Sequence, residues 1–190
     1  RGPVQMNGTA DAPVRIFPAQ PDAVWGTVAI TGRKAAGSVL RYVEAEGGSG
    51  KTDGRQRFIS MISIHDTSDI SLDHVTLRRN SIFDDMLHVI YASGVSVINS
   101  NFENAMSDAV DVDMSSIRFS NVTFRASGND GLDLMSSNAI VEDARFLGSG
   151  DKGVSVGEAS TVFIRKSEFR ENVIGLEAKD GSRAALVDSR

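Results

Sequence analysis

A recurring spacing of 22 residues between phenylalanines is the feature of this sequence that most limits its fold. The four residues Phe102, Phe124, Phe146 and Phe169 follow one another at intervals of 22, 22 and 23 residues. Each follows another apolar residue by five positions. Each also precedes, by seven or eight positions, an apolar pair split by one residue, such as Val110-x-Val112. Such a fixed period is typical of repeat proteins, whose units stack to share one core.

The apolar pairs alternate with period two, which indicates strands rather than helices. The predicted strands are short and are separated by Asn, Asp, Gly and Ser, residues that favour turns. Three short strands in about 22 residues predict one turn of a parallel β-helix. We therefore expect an all-β, right-handed parallel β-helix, a solenoid of about seven rungs of ~22 residues. A leucine-rich repeat requires an L-x-x-L-x-L consensus and a left-handed β-helix requires a six-residue period, and neither pattern occurs.

The repeat also sets the expected domain organisation. Residues 1–190 are predicted to form one β-helix domain, with regular rungs over 69–188 and looser rungs over 1–68. A segment that is Gly-rich at its start, from Glu46 to Arg57, is expected to be a loop. Because both ends of the sequence fall inside the repeat pattern, we expect it to be a segment of a larger protein, with neighbouring domains as partners.

Charge and composition limit the possible partners and sites. The net charge is −5 and no basic stripe is present, which argues against nucleic-acid binding. The chain contains no cysteine, which excludes disulfides and thiolate metal sites. No apolar run is long enough to predict a transmembrane segment.

Several motifs resemble those of a β-helix repeat family found in bacterial envelope and secreted proteins, some beside CotH-like kinase modules. The motifs are Gly8-Thr9-Ala10-Asp11-Ala12-Pro13-Val14-Arg15-Ile16, Trp25-Gly26, Glu46-Gly47-Gly48-Ser49-Gly50, Ser107-Asp108-Ala109-Val110-Asp111, Asn129-Asp130-Gly131-Leu132-Asp133 and Gly150-Asp151-Lys152-Gly153-Val154-Ser155. The resemblance covers nearly the whole chain, and its fold is similar to that of pectate lyases, polygalacturonases and alginate epimerases. It implies a bacterial extracellular or cell-envelope location, with the signal peptide outside this segment. No residue matches a CotH kinase motif, so the resemblance does not imply kinase activity.

Stacking of the rungs predicts two rows of polar residues beside the last strand of each rung. The first row comprises Asp85, Asp108, Asp130 and Lys152; the second comprises His88, Asp111, Asp133, Ser155 and Glu177. The second row alternates with core residues and is therefore expected to face outward, with Asp113 on the same face as Asp111.

These rows supply the candidate site residues. Adjacent rungs lie ~4.8 Å apart and alternate residues of a strand ~6.6 Å apart, so Asp111, Asp113 and Asp133 are candidate ligands of one Ca²⁺ ion. Alternatively, carboxylates at these separations are suited to acid–base chemistry on a sugar, with His88 as an oriented base. The candidate catalytic residues are His88, Asp108, Asp111, Asp130, Asp133 and Lys152. A third interpretation is that the rows are solvated surface groups or a surface ion pair of Asp130 with Lys152.

Other polar and aromatic residues are candidates for carbohydrate binding. Arg78 and Arg79 lie in a short insertion, and Tyr91 has a ring that can stack on a sugar. His65 and His74 are interpreted as turn or surface groups. The leading function is a non-catalytic polysaccharide-binding module or rigid spacer. The alternatives are a polysaccharide lyase, epimerase or hydrolase that uses the acidic rows, and an assembly element.

Overall fold

Two long parallel sheets wrap around a single apolar core in the computed structural model, which describes residues 2–20, 23–54 and 56–190. Strands are numbered along the chain. The seven-stranded sheet contains β3 (Val28–Thr31), β7 (Ser60–His65), β9 (Asp85–Ile90), β12 (Val110–Asp113), β15 (Leu132–Met135), β18 (Lys152–Gly157) and β21 (Ile174–Ala178).

The second sheet has thirteen strands and bends around the other side of the core. Its strands are β1 (Gln5–Asn7), β2 (Val14–Ile16), β4 (Val39–Glu46), β8 (Ser71–Arg78), β10 (Val95–Ile98), β11 (Asn101–Glu103), β13 (Ser116–Ser120), β14 (Thr123–Arg125), β16 (Asn138–Glu142), β17 (Arg145–Leu147), β19 (Thr161–Arg165), β20 (Glu168–Arg170) and β22 (Arg183–Val187). A single 3-10 turn at Arg33–Ala35 is the one helical element of the described residues.

The chain winds through both sheets in the order that a parallel β-helix requires. It enters the seven-stranded sheet seven times and therefore completes six turns between β3 and β21, close to the predicted number of rungs. Every pairing within these two sheets is parallel. Each turn therefore stacks directly on the one before it.

A sharp corner divides each rung of the thirteen-stranded sheet at one residue with a positive φ. These corner residues are Tyr42, His74, Asn99, Asn121, Asp143 and Lys166, with φ between 47° and 55°. The left-handed backbone region is tolerated best by Asn and Asp, which explains their presence at three successive corners. The Asn121 amide Nδ2 also donates to Asn99 Oδ1 at 2.9 Å, a side-chain hydrogen bond from one rung to the next.

The repeated phenylalanines form one wall of the core. The rings of Phe102, Phe124, Phe146 and Phe169 are stacked, with centroids separated by 5.4, 4.7 and 4.9 Å in that order. Each pairs with the next in strand register. The register predicted from their spacing is therefore confirmed.

The segment between β4 and β7 is more ordered than its glycines suggested. Residues Lys51–Asp53 (β5) and Gln56–Phe58 (β6) pair as an antiparallel hairpin, so the predicted loop from Glu46 to Arg57 is wrong in part. Phe58 anchors the hairpin because its side chain is buried and its ring lies 5.3 Å from that of His65. The hairpin thus reaches the outer face of the seven-stranded sheet.

Candidate functional site

The two predicted polar rows lie side by side along the seven-stranded sheet. Strand register aligns His88 with Asp111, Asp111 with Asp133, Asp133 with Ser155, and Ser155 with Glu177. We call this set, together with Ser63 at its start, the strand row. Asp85, Asp108, Asp130 and Lys152, preceded by Ser60, form the turn row. The predicted membership of both rows is confirmed.

Alternation along each strand directs the strand row away from the core. Val110 and Val112 are fully buried in the core, so Asp111 and Asp113 lie on the opposite side of β12. Their side chains are nevertheless only 18% and 13% exposed, because neighbouring side chains on the same face cover them. The interpretation of these carboxylates as freely solvated surface groups is therefore wrong.

Two carboxylates of the turn row hold the next rung in place. Asp108 Oδ1 accepts hydrogen bonds from the backbone N–H of Asp130 at 2.7 Å and from Asn129 Nδ2 at 2.8 Å. Asp130 Oδ1 in turn accepts the backbone N–H of Lys152 at 2.8 Å. These contacts give Asp108 and Asp130 a structural role in connecting the rungs.

Lys152 forms ion pairs at the far end of the turn row. Its Nζ lies 3.7 Å from Asp130 Oδ1 and 3.9 Å from Glu177 Oε2, and it also contacts Asp151. The Asp130 and Lys152 side chains are only 4% and 11% exposed. A surface ion pair was one interpretation of these residues. The pair is instead buried, where removal of one partner is more costly than at a surface.

His88 is the centre of the remaining polar cluster. Its Nε2 lies 3.2 Å from Asp113 Oδ2 and 3.8 Å from Asp111 Oδ2. Its other nitrogen, Nδ1, is 3.2 Å from Nε2 of His65 on the neighbouring strand β7. We call His88, Asp111 and Asp113 the acid–histidine cluster. One ligand atom from each of the three lies within 4.8 Å of the others.

The cluster differs from the predicted ligand set in one member. Asp133 pairs with Asp111 on the side of β12 opposite to His88. It is therefore two strand spacings, roughly 9–10 Å, from the backbone of His88. His88 takes the place in the cluster that the sequence assigned to Asp133.

Asp85 adds a buried carboxylate beside the cluster. Ser60 Oγ lies 2.7 Å from Ser63 Oγ, which shows that the turn and strand rows converge on the outer face one rung earlier. Asp85 and His88 occupy the equivalent positions in the next rung. Asp85 is 1% exposed, and its Oδ2 has no hydrogen-bond partner among the described residues.

Burial and mutual repulsion alter the acidity of these carboxylates. Burial, followed by the charges of Asp111 and Asp108, raises the pKa of Asp85 to about 10. Burial, with the charges of Asp113 and Asp133, raises the pKa of Asp111 to about 8. Burial also raises the pKa of Asp108. The outer face therefore concentrates carboxyl groups whose pKa values lie above their usual range, as functional sites often do.

The pKa values of the two groups on either side of the cluster are shifted in opposite directions. Burial raises the pKa of Asp130 to about 6, although the backbone N–H of Lys152 opposes this shift. Burial and the neighbouring His88 lower the pKa of His65 to about 4. His65 is therefore neutral near pH 7.

His65 was not predicted to belong to the site, and its interpretation as a turn or surface group is wrong. It ends β7, and its side chain faces His88. Its outward direction follows from alternation with Ile62 and Ile64, which align with Leu87 and Val89 in the structure. The 22-residue period does not predict this alignment, because the offset between the two strands is 25 residues. His74, by contrast, is exposed at a corner and contacts Asp73.

The candidate carbohydrate-binding residues are divided between two places. Arg78 ends β8 instead of lying in a loop, and its Nε donates to Glu103 Oε2 at 2.9 Å. Arg79 contacts Glu46. Both guanidinium groups are engaged in ion pairs, away from the acid–histidine cluster.

Tyr91 lies close to the cluster. It directly follows Ile90, the residue that pairs with both His65 and Asp113. Its side chain is 56% exposed. Together with Gly32, Arg33, Asp66, Thr67 and Ser68 it lines an open cleft of about 590 Å³.

Comparison with protein families identifies the architecture. The family model described as "Right handed beta helix region" matches residues 85–190, more than half of the chain. The chain belongs to the right-handed β-helix family. The predicted fold is therefore confirmed, while curated protein sequences give no match. Within the described residues of this β-helix, no helix is long and apolar enough to cross a membrane.

Solved structures support the same fold. The β-helix is similar to the enzymatically active domain of Bacteriophage CBA120 tailspike protein 2 (TM-score 0.58, 11% identity, 93% of this chain and 34% of that chain). It is also similar to pectate lyase Pel9A (0.54, 14%, 100% and 65%) and to the periplasmic alginate epimerase AlgG (0.50, 11%, 81% and 42%). The chain spans less than two thirds of each of these proteins. At such low identity, the similarity shows the fold alone.

Proposed function

We propose that this β-helix binds a polysaccharide across the outer face of the seven-stranded sheet. The observation that carries the proposal is that Tyr91, which lines the open cleft, directly follows β9, and that its backbone N–H donates to the carbonyl oxygen of Asp113 at 3.2 Å. An exposed ring therefore lies at the end of the strands that carry the convergent polar side chains. The pectate lyase and alginate epimerase named above support the choice of glycan as ligand class by fold analogy.

The chemistry of the cleft suits a sugar. A tyrosine ring offers an apolar surface for the C–H face of a pyranose, and its hydroxyl remains available for hydrogen bonds. Arg33 and Asp66 add charged groups, and Thr67 and Ser68 add hydroxyls. A site of this kind combines an apolar contact with a few placed polar groups, which is the usual basis of small-ligand recognition.

Binding is tested with a panel of alginate, pectin and a neutral glucan, measured by calorimetry in the presence of a chelator. Tyr91→Ala is expected to weaken binding about five- to thirtyfold, since stacking of an aromatic ring contributes on the order of 1–2 kcal/mol. Tyr91→Phe keeps the ring and should retain most of the affinity. Tyr42→Ala is the matched control, because Tyr42 lies on the thirteen-stranded sheet. Equal affinity in Tyr91→Ala and wild type would contradict the proposal, as would no binding to any glycan.

Catalysis is the second candidate function. The observation in its favour is that His88 is held between His65 and Asp113, with Asp111 as its neighbour on the same face. A histidine oriented in this way beside a carboxylate is suited to proton transfer. The assay is the release of new reducing ends or unsaturated products from the glycan that binds best. His88→Gln should abolish turnover while the glycan still binds, and a wild-type chain without turnover would leave binding as the function.

The biological setting remains a prediction. An extracellular or envelope location, and attachment to further domains of a larger protein, both agree with a role in glycan binding. The rigid-spacer and assembly alternatives predict that the isolated chain shows neither glycan binding nor turnover.

A further inference from the structure

We infer that His88, Asp111 and Asp113 bind one divalent transition-metal ion, such as Zn²⁺ or Mn²⁺, on the outer face of the seven-stranded sheet. The inference goes beyond the proposed glycan binding and does not depend on it.

The donor atoms have the spacing that one ion requires. Nε2 of His88 lies 3.2 Å from Asp113 Oδ2 and 3.8 Å from Asp111 Oδ2, and all three donors lie within 4.8 Å of one another. Ligands held at about 2.0–2.2 Å from one ion are separated from each other by roughly 3–4 Å. Small side-chain rotations would therefore complete the site without movement of the backbone.

The second observation is the unpartnered carboxylate of Asp85. It is 1% exposed, its Oδ2 has no hydrogen-bond partner in the part of the chain that the structure describes, and the charges of Asp111, Asp108 and Asp113 act on it. A buried polar atom without a partner is costly. A hydrated cation in the cluster would favour the ionised form of the neighbouring carboxylates and supply a water that can donate to this oxygen.

His65 orients the imidazole for coordination. A metal-binding histidine commonly donates its second ring N–H to a nearby acceptor, which fixes the tautomer. Nδ1 of His88 faces Nε2 of His65 at 3.2 Å. When His88 carries its proton on Nδ1 and donates it to His65, the Nε2 lone pair points toward the two carboxylates.

The donor set also selects the class of ion. Ca²⁺ prefers six to eight oxygen ligands, and Mg²⁺ prefers oxygen ligands with several waters. An imidazole nitrogen beside two carboxylates is better suited to Zn²⁺, Mn²⁺ or a related ion. The Ca²⁺ site predicted from Asp111, Asp113 and Asp133 is therefore replaced in this proposal by a nitrogen-containing site. Three protein ligands leave coordination positions open for water or for an oxygen of a sugar.

Calorimetric titration of the chelator-stripped chain with ZnCl2, MnCl2 and CaCl2 tests the site. We expect one Zn²⁺ per chain, bound at least about tenfold more tightly than Ca²⁺. His88→Gln and Asp113→Asn should each weaken Zn²⁺ binding by at least about tenfold, as loss of a ligand does. His74→Gln is the matched control, because His74 also contacts an aspartate but lies exposed at a corner of the other sheet. It should bind Zn²⁺ as the wild type does.

Two results would overturn the inference: no stoichiometric binding of Zn²⁺ or Mn²⁺, or an affinity that His88→Gln leaves unchanged. A Ca²⁺ affinity above that of Zn²⁺ would also overturn it. If His88→Gln does not fold, the visible absorption of Co²⁺ bound to the wild-type chain reports whether nitrogen and oxygen ligands surround the ion. Glycan binding is measured in the presence of a chelator, so the two assays are independent. A failure of metal binding would leave the glycan proposal standing, and a failure of glycan binding would leave the metal proposal standing.

Discussion

Acidic residues on the outer faces of the two sheets have different partners. On the thirteen-stranded sheet, carboxylates pair with arginines of neighbouring rungs: Glu103 with Arg78 at 2.9 Å, and Glu142 with Arg165 at 2.7 Å and Arg118 at 3.6 Å. On the seven-stranded sheet, the ion pairs found among the described residues involve histidine or lysine and no arginine.

This contrast distinguishes the residues that the fold requires from those that a functional site requires. Both faces have the same rung spacing, so the solenoid itself does not require unpaired carboxylates. On the thirteen-stranded face, opposite charges on neighbouring rungs form ion pairs. On the seven-stranded face, Asp111 is repelled by Asp113 and Asp133. Local violations of the rules for stable surfaces are expected where a protein binds a ligand.

The comparison assumes that both faces rest on one continuous core, and Phe124 tests this assumption with the largest expected effect. Phe124 is fully buried between Phe102 and Phe146. Phe124→Ala should lower the free energy of unfolding by ~3–5 kcal/mol because it leaves a cavity in the ring stack. Denaturant unfolding measures this change. Phe163→Ala is the control, since that ring is 40% exposed on the outer face. A loss below ~1 kcal/mol for Phe124→Ala would mean that the core is not continuous at this rung.

The second largest expected effect is the pH dependence of folding stability that Asp130 causes. Its pKa in the folded chain is about 6, raised from 3.8 mainly by burial. The folded state therefore holds this proton more tightly than the unfolded state. The contribution of this proton to the free energy of unfolding is fully present below pH 3.8 and is lost as the pH rises through 6. Between pH 4 and pH 7, wild type should lose about 1–3 kcal/mol relative to Asp130→Asn. Parallel pH profiles of unfolding free energy for the two chains would refute the effect.

The smallest expected effect addresses the comparison most directly. Asp133→Asn removes a charge that repels Asp111, so the unfolding free energy should rise, by up to about 1 kcal/mol. Glu142→Gln instead breaks contacts with two arginines and should lower it by about 0.2–1 kcal/mol. Urea unfolding at low salt and pH 9, where Asp111 is ionised, measures both changes. The same sign for the two substitutions would remove the distinction between the faces.

Register and corner chemistry could be predicted from the sequence because they repeat. The interval between phenylalanines fixes which residues stack, and from this follow the ring contacts of Phe124 and the two polar rows. The corner asparagines were predictable for the same reason, since each rung needs a left-handed residue at the same place.

Burial and contacts between irregular rungs could not be predicted in this way. Alternation shows that Asp111 faces outward, but it does not show how far neighbouring side chains cover it. His65 follows the hairpin, which interrupts the 22-residue period. The period therefore does not predict which residue of the next rung lies beside His65, and its contact with His88 could not be foreseen. Arg78 was assigned to an insertion for a similar reason, although it ends a strand and pairs with Glu103.

The positive-φ corner has a consequence for how such a chain can change its length. Every rung turns at an equivalent residue, from Tyr42 to Lys166, and the rungs on either side keep the same pairing. A duplication or deletion that begins and ends at this corner would therefore splice one complete rung without shifting strand register. Because His88, Asp111 and Asp113 occupy only two adjacent rungs, the solenoid can lengthen beyond them in whole-rung steps. In evolutionary terms, the extent of the surface and the chemistry of the site are free to vary separately.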